Sequence, residues 1–242
     1  MSKRQILLCC ACFALAAALL SAGVRQAVPA AFSVETASAS GAPVLILDAG
    51  HGGEDGGAVS AGGGKESEVN LAVVLKMEAL MVFLGVEPVL IRREDISLHT
   101  PDCATLREKK RSDLQQRAAL IQRTENAMVI SVHQNYFTDS RYSGAQVFYN
   151  PGDVSRQWGE RTQQALRQVL DGNNERKAAG LSSQVYLFEH ISCPAILVEC
   201  GFLSNGEEAS LLFTQEYQKK IAVALSGAYI QELQRLSEAK VI

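Results

Sequence analysis

The stretch VLILDAGHGG (residues 44–53) begins with four apolar residues and ends in a turn that carries an aspartate and a histidine. The apolar run is typical of a short buried strand, and Gly50, Gly52 and Gly53 let the backbone bend tightly after it. In α/β proteins, side chains beyond the carboxyl ends of parallel strands converge on one crevice. We therefore expect one site to combine this turn with three further polar stretches, GKESEVNL (64–71), MVISVHQN (128–135) and PAILVECGFLSN (194–205).

The length and composition are those of one globular domain. The chain has 242 residues, of which 47% are hydrophobic and 20% charged, so it contains enough apolar material for a full core. The formal net charge is -3, and the sequence has no long run of lysine or arginine. Binding of nucleic acid, which depends on clustered positive charge, is therefore not expected.

Strand-like and helical patterns alternate from residue 44 onward. Apolar residues at helical spacing predict helices at residues 68–84, 112–124, 153–170 and 216–235. Gly85 is expected to end the first helix and Ser112 to cap the second. The alternation predicts the α/β class, a single domain with a mostly parallel twisted sheet flanked by helices. About six strands are expected, at residues 44–48, 87–92, 128–132, 145–149, 185–188 (an edge strand) and 195–199 (a central strand).

The first residues differ from the rest of the chain. Lys3 and Arg4 precede an uncharged stretch, Ile6 to Val24, that is rich in leucine and alanine. Such a stretch is typical of an export signal, and its length is close to the minimum for a membrane span. Residues 1–24 are therefore predicted to be a signal peptide or a membrane anchor, with a slowly cleaved or uncleaved anchor favoured. The protein is then exported, to the outer face of the cytoplasmic membrane or the cell wall space, and contacts the membrane only through this segment.

Three further boundaries follow from the composition. Residues 25–42 are rich in alanine, serine, threonine and valine without a clear period, which is typical of a tether. The folded domain is predicted to span residues 43–236, followed by a tail at residues 237–242. We find no internal repeat and no second domain.

Cysteine usage does not predict a disulfide framework. Of six cysteines, three lie in the apolar leader, and an odd number remains. The spacing of the remaining three does not match a structural zinc site. We interpret Cys103, Cys193 and Cys200 as mostly structural, with one disulfide involving Cys103 left open.

Two histidines and a glutamate have the chemistry of metal ligands. His51 lies in the glycine-rich turn, Glu66 precedes a predicted helix, and His133 follows an apolar strand. Each alone has an ordinary explanation, as a loop histidine, a first-turn carboxylate or a hydrogen-bonded histidine at a strand end. Together, two imidazoles and one carboxylate around Zn²⁺ leave a position open for water, as in catalytic zinc sites. Zinc lowers the pKa of such a water from 15.7 to about 7.

Glu199 follows the apolar run at residues 195–198. A salt bridge at a strand end is its ordinary explanation, but a charge beside so apolar a run is costly. Close to the metal ligands, this carboxylate could accept a proton from water and deliver it to a departing amine. Glu199 is therefore a candidate for general acid–base catalysis of amide hydrolysis.

These motifs resemble those of the zinc-dependent N-acetylmuramoyl-L-alanine amidases called amidase 3. The strand followed by DAGHGG, the glutamate before the first helix, SVHQN (131–135) and VECGFLSN (198–205) occur in the order of that family. The similarity covers roughly Val44 to Leu233. It implies a fold related to that of zinc carboxypeptidases, with residues 43–236 as the catalytic domain.

The resemblance also implies residue roles. One zinc ion per chain would be held by His51, Glu66 and His133, and Glu199 would be the catalytic base. The implied substrate is peptidoglycan, cleaved at the amide between the lactyl group of N-acetylmuramic acid and the L-alanine of the stem peptide. Side chains expected to support the sheet and the metal ligands are Arg92, Arg117 and Asn135.

A short catalytic domain behind an apolar leader is similar to the sporulation amidases that act in the spore cortex. The resemblance does not identify a protein activator. Two other hypotheses stay open: a zinc peptidase of carboxypeptidase-like fold, and a non-catalytic wall-binding protein that has kept the fold. The products released from muropeptides distinguish the three.

Overall fold

The computed structural model describes residues 41–181 and 185–239. The predicted signal peptide or anchor at residues 1–24 lies outside the described residues, as do residues 25–40 of the predicted tether. Within the described part, no helix is both long enough and apolar enough to cross a bilayer.

Six strands in the described part of the chain form one sheet. They are β1 (Val44–Ala49), β2 (Val89–Leu90), β3 (Ala127–Asn135), β4 (Gln146–Tyr149), β5 (Ala179–Gly180) and β6 (Ala195–Phe202). Their order across the sheet is β2-β1-β3-β6-β4-β5. Neighbours are parallel except for β4, which runs antiparallel to β6. The predicted α/β fold with a mostly parallel sheet of about six strands is confirmed.

Helices cover both faces of this sheet. They are α1 (Glu66–Phe83), α2 (Leu106–Gln122), α3 (Asp153–Val169), α4 (Tyr186–Glu189), α5 (Gly206–Leu212) and α6 (Gln215–Ala239). Leu45 and Leu47 of β1 pack with α1, α3 and α6, whereas Ile46 packs with α2 and α4. Because successive strand residues point to opposite faces and both faces are covered, the strands are continuous apolar runs.

Helix α1 ends where the sequence predicts but starts earlier. Gly85 has a φ of +80°, and its N–H donates to the carbonyl of Val82. The N–H of Val86 donates to the carbonyl of Met81, so the last carbonyls of the helix are satisfied in the usual glycine-terminated way. The helix starts at Glu66 and not at residue 68, so Glu66 is its first residue and does not precede it.

The predicted start of helix α2 at Ser112 is wrong. The helix begins at Leu106, and Thr105 is its N-cap. Thr105 and Glu108 form a reciprocal capping box, in which each side chain accepts a hydrogen bond from the backbone N–H of the other. The first two turns are highly charged and show no apolar stripe, so hydrophobic spacing identified only the second half of the helix.

The predicted edge strand at residues 185–188 is also wrong. Residues 186–189 form helix α4, and the edge strand is β5. Leu187 and Phe188 are adjacent in sequence and both buried in the core beside α2, together with Ile191. Consecutive residues of a strand point to opposite faces, whereas one helical turn can place Leu187 and Phe188 on the same side, against the core. The short helix α5, capped by the side chain of Asn205, was not predicted.

Strand lengths also differ from the prediction. Strand β2 is two residues long, whereas β3 continues to Asn135 and β6 to Phe202. His133, which was predicted just beyond its strand, therefore lies within it, and Glu199, which was predicted as the last residue of its strand, is followed by three more strand residues. His133 and Glu199 are directly opposite each other in the β3–β6 register.

The three cysteines of the folded domain are free thiols. Cys103 and Cys193 are half-buried and Cys200 is buried. The disulfide involving Cys103 that the sequence left open is therefore not formed between these residues. Burial raises the pKa of the Cys193 thiol, so this cysteine is no readier to ionise than a free one.

Candidate functional site

Two buried arginines hold the turn that carries His51. His51 has a φ of +60°, a left-handed conformation that is costly for a residue other than glycine. Arg92 donates through Nε and Nη2 to the carbonyls of Ala49 and Gly50, at 2.9 and 3.1 Å. Arg117 donates through Nη1 and Nη2 to the carbonyls of Ala49 and His51, at 2.9 and 2.7 Å. These charged hydrogen bonds fix the direction of the turn.

A buried ion pair in turn orients Arg117. Its Nη1 donates to Asp48 at 2.5 Å and its Nε to Asp113 at 2.6 Å. Burial alone would raise the pKa of Asp48, but the charge of Arg117 and the hydroxyl of Ser131, which donates at 2.6 Å, keep that pKa below its usual value. The aspartate is therefore ionised and fully paired. Asn135, the third expected supporting residue, ends β3, and its carbonyl accepts from the backbone N–H of Leu203.

Glu66, the first residue of α1, lies buried between the two histidines. Its Oε1 is 2.8 Å from His133 Nδ1, and its Oε2 is 3.3 Å from His51 Nε2. The backbone N–H groups of Ala58 and Gln134 also donate to this carboxylate, at 2.9 and 3.1 Å. Burial would raise the pKa of Glu66, but the hydrogen bonds from the histidines lower it far below its usual range. The side chain is an ionised, immobilised carboxylate.

The structure thus brings three of the predicted site residues together. One ligand atom from each of His51, Glu66 and His133 lies within 4.8 Å of the others. Such a group of two imidazole nitrogens and one carboxylate oxygen could hold a metal ion. The residues come from the turn after β1, the start of α1 and strand β3. The site is therefore assembled from distant parts of the chain at the carboxyl ends of the central strands, as expected for α/β proteins.

Gly50 makes room for the ring of His133. A Cβ at this position would lie 2.1 Å from His133 Cε1 and 2.3 Å from Nε2. The backbone there cannot withdraw, because the carbonyl of Gly50 accepts from Arg92 and from Asn70. The glycine is therefore required for close approach of the turn to strand β3.

We expect Gly50→Ala to reduce activity by at least about 100-fold, since a displacement of about 1 Å at a reacting group can cost that much. The His133 ring must move away from His51 and Glu66 to admit the methyl group. Initial rates on soluble muropeptides would measure the loss. Gly62→Ala is the matched control, because the nearest atom to its added Cβ is 3.9 Å away, and it should keep wild-type rates. Wild-type rates for Gly50→Ala would contradict the close approach.

Asp55, which sequence reasoning missed, orients His51. Its carboxylate accepts from His51 Nδ1 at 2.9 Å, which leaves Nε2 facing Glu66, and it also pairs with Lys110 at 2.8 Å. Burial alone would lower the pKa of His51, but the hydrogen bonds that its ring donates to the carboxylates of Asp55 and Glu66 raise it to about 9. A carboxylate behind a histidine is a common way of orienting a metal-binding imidazole. The signal in the sequence was weak, since Asp55 is one of two adjacent acidic residues in a glycine-rich loop.

Asp55→Asn is expected to weaken metal affinity about 10- to 100-fold, as for other outer carboxylates behind ligand histidines. The amide cannot fix the tautomer and orientation of His51 as the carboxylate does. Titration of the metal-free protein with zinc, followed by calorimetry, would measure this. Glu54→Gln removes the neighbouring carboxylate, which makes only a surface pair with Lys109, and should leave the affinity unchanged. Equal affinity in Asp55→Asn and Glu54→Gln would show that Asp55 does not orient His51.

Glu199 faces the same centre from strand β6. Its Oε2 is shielded from solvent and has no hydrogen-bond partner among the described residues. Burial raises the pKa of Glu199 to about 7, while the nearby charge of His133 acts in the opposite direction. An unpartnered carboxylate oxygen in a buried position is costly, so its presence beside the histidines indicates a functional group.

A cavity of about 350 Å³ opens beside the two histidines on the side of helices α2 and α4. This volume is in the usual range for small-ligand sites. The lining combines apolar side chains, among them Leu114 and Leu197, with charged ones that include Lys110. Helix α4, which the sequence misidentified as a strand, therefore forms one wall of the site.

Comparison with known proteins agrees with this architecture. Residues 45–231 match the family described as N-acetylmuramoyl-L-alanine amidase, Amidase_3. The chain is 36% identical over 185 residues to the germination-specific N-acetylmuramoyl-L-alanine amidase of Bacillus subtilis, covering 75% of this chain and 76% of that protein. It is 26% identical over 281 residues to the amidase AmiA of Escherichia coli, covering 95% and 91% of the two chains.

A solved structure is similarly close. The CwlD amidase from Clostridioides difficile, determined in complex with the GerS lipoprotein, superposes with a TM-score of 0.76 at 36% identity. The match covers 79% of this chain and 98% of that one.

The fold and the site define a hydrolase of the α/β class with a centre of two histidines and two glutamates. The chain belongs to the N-acetylmuramoyl-L-alanine amidase family. It is an amidase that acts on peptidoglycan, at the bond between N-acetylmuramic acid and the L-alanine of the stem peptide.

Proposed function

We propose that this amidase uses one zinc ion held by His51, Glu66 and His133, with Glu199 as the catalytic base. The observation that supports the ligand set most directly is the approach of three suitable ligand atoms to within 4.8 Å of one another. Two nitrogens and one oxygen fit Zn²⁺, and three protein ligands leave a position for water or substrate. When bound, zinc would act as a Lewis acid on the scissile carbonyl and lower the pKa of water.

Glu199 is suited to proton transfer in this reaction. Its Oε2 has no other hydrogen-bond partner among the described residues, so it is free to accept a proton from the attacking water. It can then donate that proton to the departing nitrogen of L-alanine, which leaves as a neutral amine. A pKa of about 7, raised by burial, suits a group that must both accept and donate a proton near neutral pH.

The remaining polar groups keep this arrangement in place. Asp55 would hold the His51 ring with Nε2 directed inward, and Asn70 donates both to the carbonyl of Gly50 and to Glu66. Gln134 donates to the oxygen of Asn70. These hydrogen bonds join the turn, the helix start and strand β3, so that the four reactive side chains need little reorganisation during the reaction.

Metal analysis and digestion of purified muropeptides test the proposal together. We expect about one zinc per chain and release of an intact stem peptide that begins with L-alanine. Loss of single terminal amino acids would indicate the carboxypeptidase-like peptidase instead. Binding without any cleavage by the zinc-loaded protein would indicate the non-catalytic wall-binding protein.

For the cellular role we propose maturation of the spore cortex. Support comes from the germination-specific relative and from the CwlD amidase, each 36% identical to this chain.

The CwlD structure contains a lipoprotein partner, so a lipoprotein is the class of partner we propose for this chain as well. Since peptidoglycan lies outside the cytoplasmic membrane, the proposal places the catalytic domain there, exported through residues 1–24. Spores that lack the protein should have cortex without muramic lactam, and a normal lactam content would contradict the role.

A further inference from the structure

Aromatic side chains are exposed just beyond the carboxyl ends of β3 and β6. Phe137 and Tyr142 are 50% and 47% exposed, although large aromatic side chains are usually buried. Their rings meet edge to face with centroids 5.0 Å apart, and Tyr142 stacks over the buried Phe202 at 6.3 Å. We call Phe137, Tyr142 and Phe202 the aromatic shelf.

The exposure of the shelf does not come from a loosely attached loop. The backbone N–H of Phe137 donates to Ser204 Oγ at 3.1 Å, and Asn205 Nδ2 donates to the carbonyl of Ser140 at 3.0 Å. At the far end of the loop, the N–H of Gly144 donates to the buried carboxylate of Glu208 at 2.9 Å. The rings are thus held in place before any ligand binds, which reduces the entropic cost of binding.

The shelf continues directly from the catalytic centre. His133 and Glu199 are opposite each other, and the next pair in the register, beyond a bulge, is Asn135 with Phe202. On the other side of β6, Gln146 is opposite Glu199. Phe202 is three residues beyond Glu199, which is about 10 Å along the strand, so the shelf lies within reach of a sugar next to the one that is cleaved.

Arg176 connects Gln146 to the shelf. Its Nη1 donates to Gln146 Oε1 at 3.2 Å, and its guanidinium lies 4.6 Å from the ring centre of Phe202 and 5.8 Å from that of Tyr142. Its Nε also donates to the carbonyl of Ser143 at 2.9 Å. The half-buried guanidinium therefore supports the rings, and its Nε and Nη1 donate within the protein.

We propose that the aromatic shelf binds a sugar ring of the glycan strand adjacent to the N-acetylmuramic acid that is cleaved. The C–H face of a pyranose ring stacks on aromatic rings, whereas the stem peptide carries carboxylates that require a free cation. Arg176 is half-buried against the rings and donates to Gln146 and Ser143, and Arg141 is paired with both carboxylate oxygens of Asp139. The cavity of about 350 Å³ on the other side of His51 offers a separate volume for the peptide. The proposal rests on the amidase function described above.

The test compares two substrates with full-length variants. One substrate is a glycan strand of several disaccharides with stem peptides, and the other is N-acetylmuramoyl-peptide without further sugars. We expect Phe137→Ala to raise KM for the strand about tenfold, which corresponds to about 1.4 kcal/mol, with kcat kept. The KM for the short substrate should rise by less than about threefold, because that substrate does not reach the shelf. Phe137→Trp should restore tight binding of the strand.

Phe83→Ala is the matched control. Phe83 is an exposed aromatic residue at the last position of α1, far along the helix from the site at its first residue, and its removal should leave both KM values unchanged. Peptide-free glycan chains should inhibit the wild type competitively and Phe137→Ala about tenfold more weakly. Equal KM values for the strand in wild type and Phe137→Ala, or an equal rise for both substrates, would overturn the shelf. Failure of the wild type to release stem peptide from either substrate would instead refute the amidase function, and the proposal with it.

Discussion

Glu199→Gln should retain its metal and lose most of its turnover. Glutamine has nearly the shape of glutamate, so the packing of β6 is kept, but its amide cannot accept a proton from water. Removal of a general acid–base group typically lowers the rate by about 10² to 10⁴. The loss should fall on kcat rather than on KM, because the side chain moves protons and does not hold the ligand set.

Rates of stem-peptide release, measured beside metal content, would test this expectation. Glu207→Gln is the control, since Glu207 is an exposed carboxylate in the first turn of α5 and should be replaceable without effect. A kcat within about threefold of wild type for Glu199→Gln, with full metal content, would remove Glu199 from the mechanism. Simultaneous loss of the metal would instead make Glu199 a ligand.

His133→Ala should lose the metal itself. The imidazole supplies one of three ligand atoms, and loss of even an outer partner of a ligand costs about 10- to 100-fold in affinity. We therefore expect affinity for zinc to fall by at least about 100-fold and activity to fall with it. The substitution also removes the hydrogen bond between His133 and Glu66. Glu66 still accepts hydrogen bonds from two backbone N–H groups.

Thermal unfolding supplies a second readout for His133→Ala. A ligand present at 100 times its dissociation constant stabilises the folded state by about 2.7 kcal/mol. A chelator should therefore lower the Tm of the wild type but not that of His133→Ala. His99→Ala is the control, because His99 bonds Ser97 outside the site, and it should respond to the chelator like the wild type. Full zinc occupancy in His133→Ala would reject the ligand assignment.

The four side chains of the proposed site stood out in the sequence because each combines unusual chemistry with a recognisable local pattern. A histidine among glycines, a glutamate at a helix start, and a histidine and a glutamate in apolar strands are all visible in the sequence. Their convergence followed from the rule for parallel sheets, and the register that sets His133 opposite Glu199 agrees with it.

The residues that hold the site were less visible. Asp55 and Asn70 act through contacts with His51, Glu66 and the carbonyl of Gly50, and no local pattern marks them. Gly50 was predicted to permit a tight turn, but the structure gives it a further role, since any side chain there would collide with His133. Such roles depend on distances between segments that are far apart in the chain.

The sequence by itself determined the fold class, the apolar strands of the central sheet, the end of α1 and the four side chains that carry the proposed chemistry. These follow from hydrophobic spacing, glycine positions and residue chemistry, which are local properties. Only the tertiary structure decided that residues 186–189 are a helix and that Phe137 and Tyr142 form an exposed shelf beside Glu199. The physical reason is that burial against a particular neighbour, here the core around α2 and the end of β6, overrides local preference.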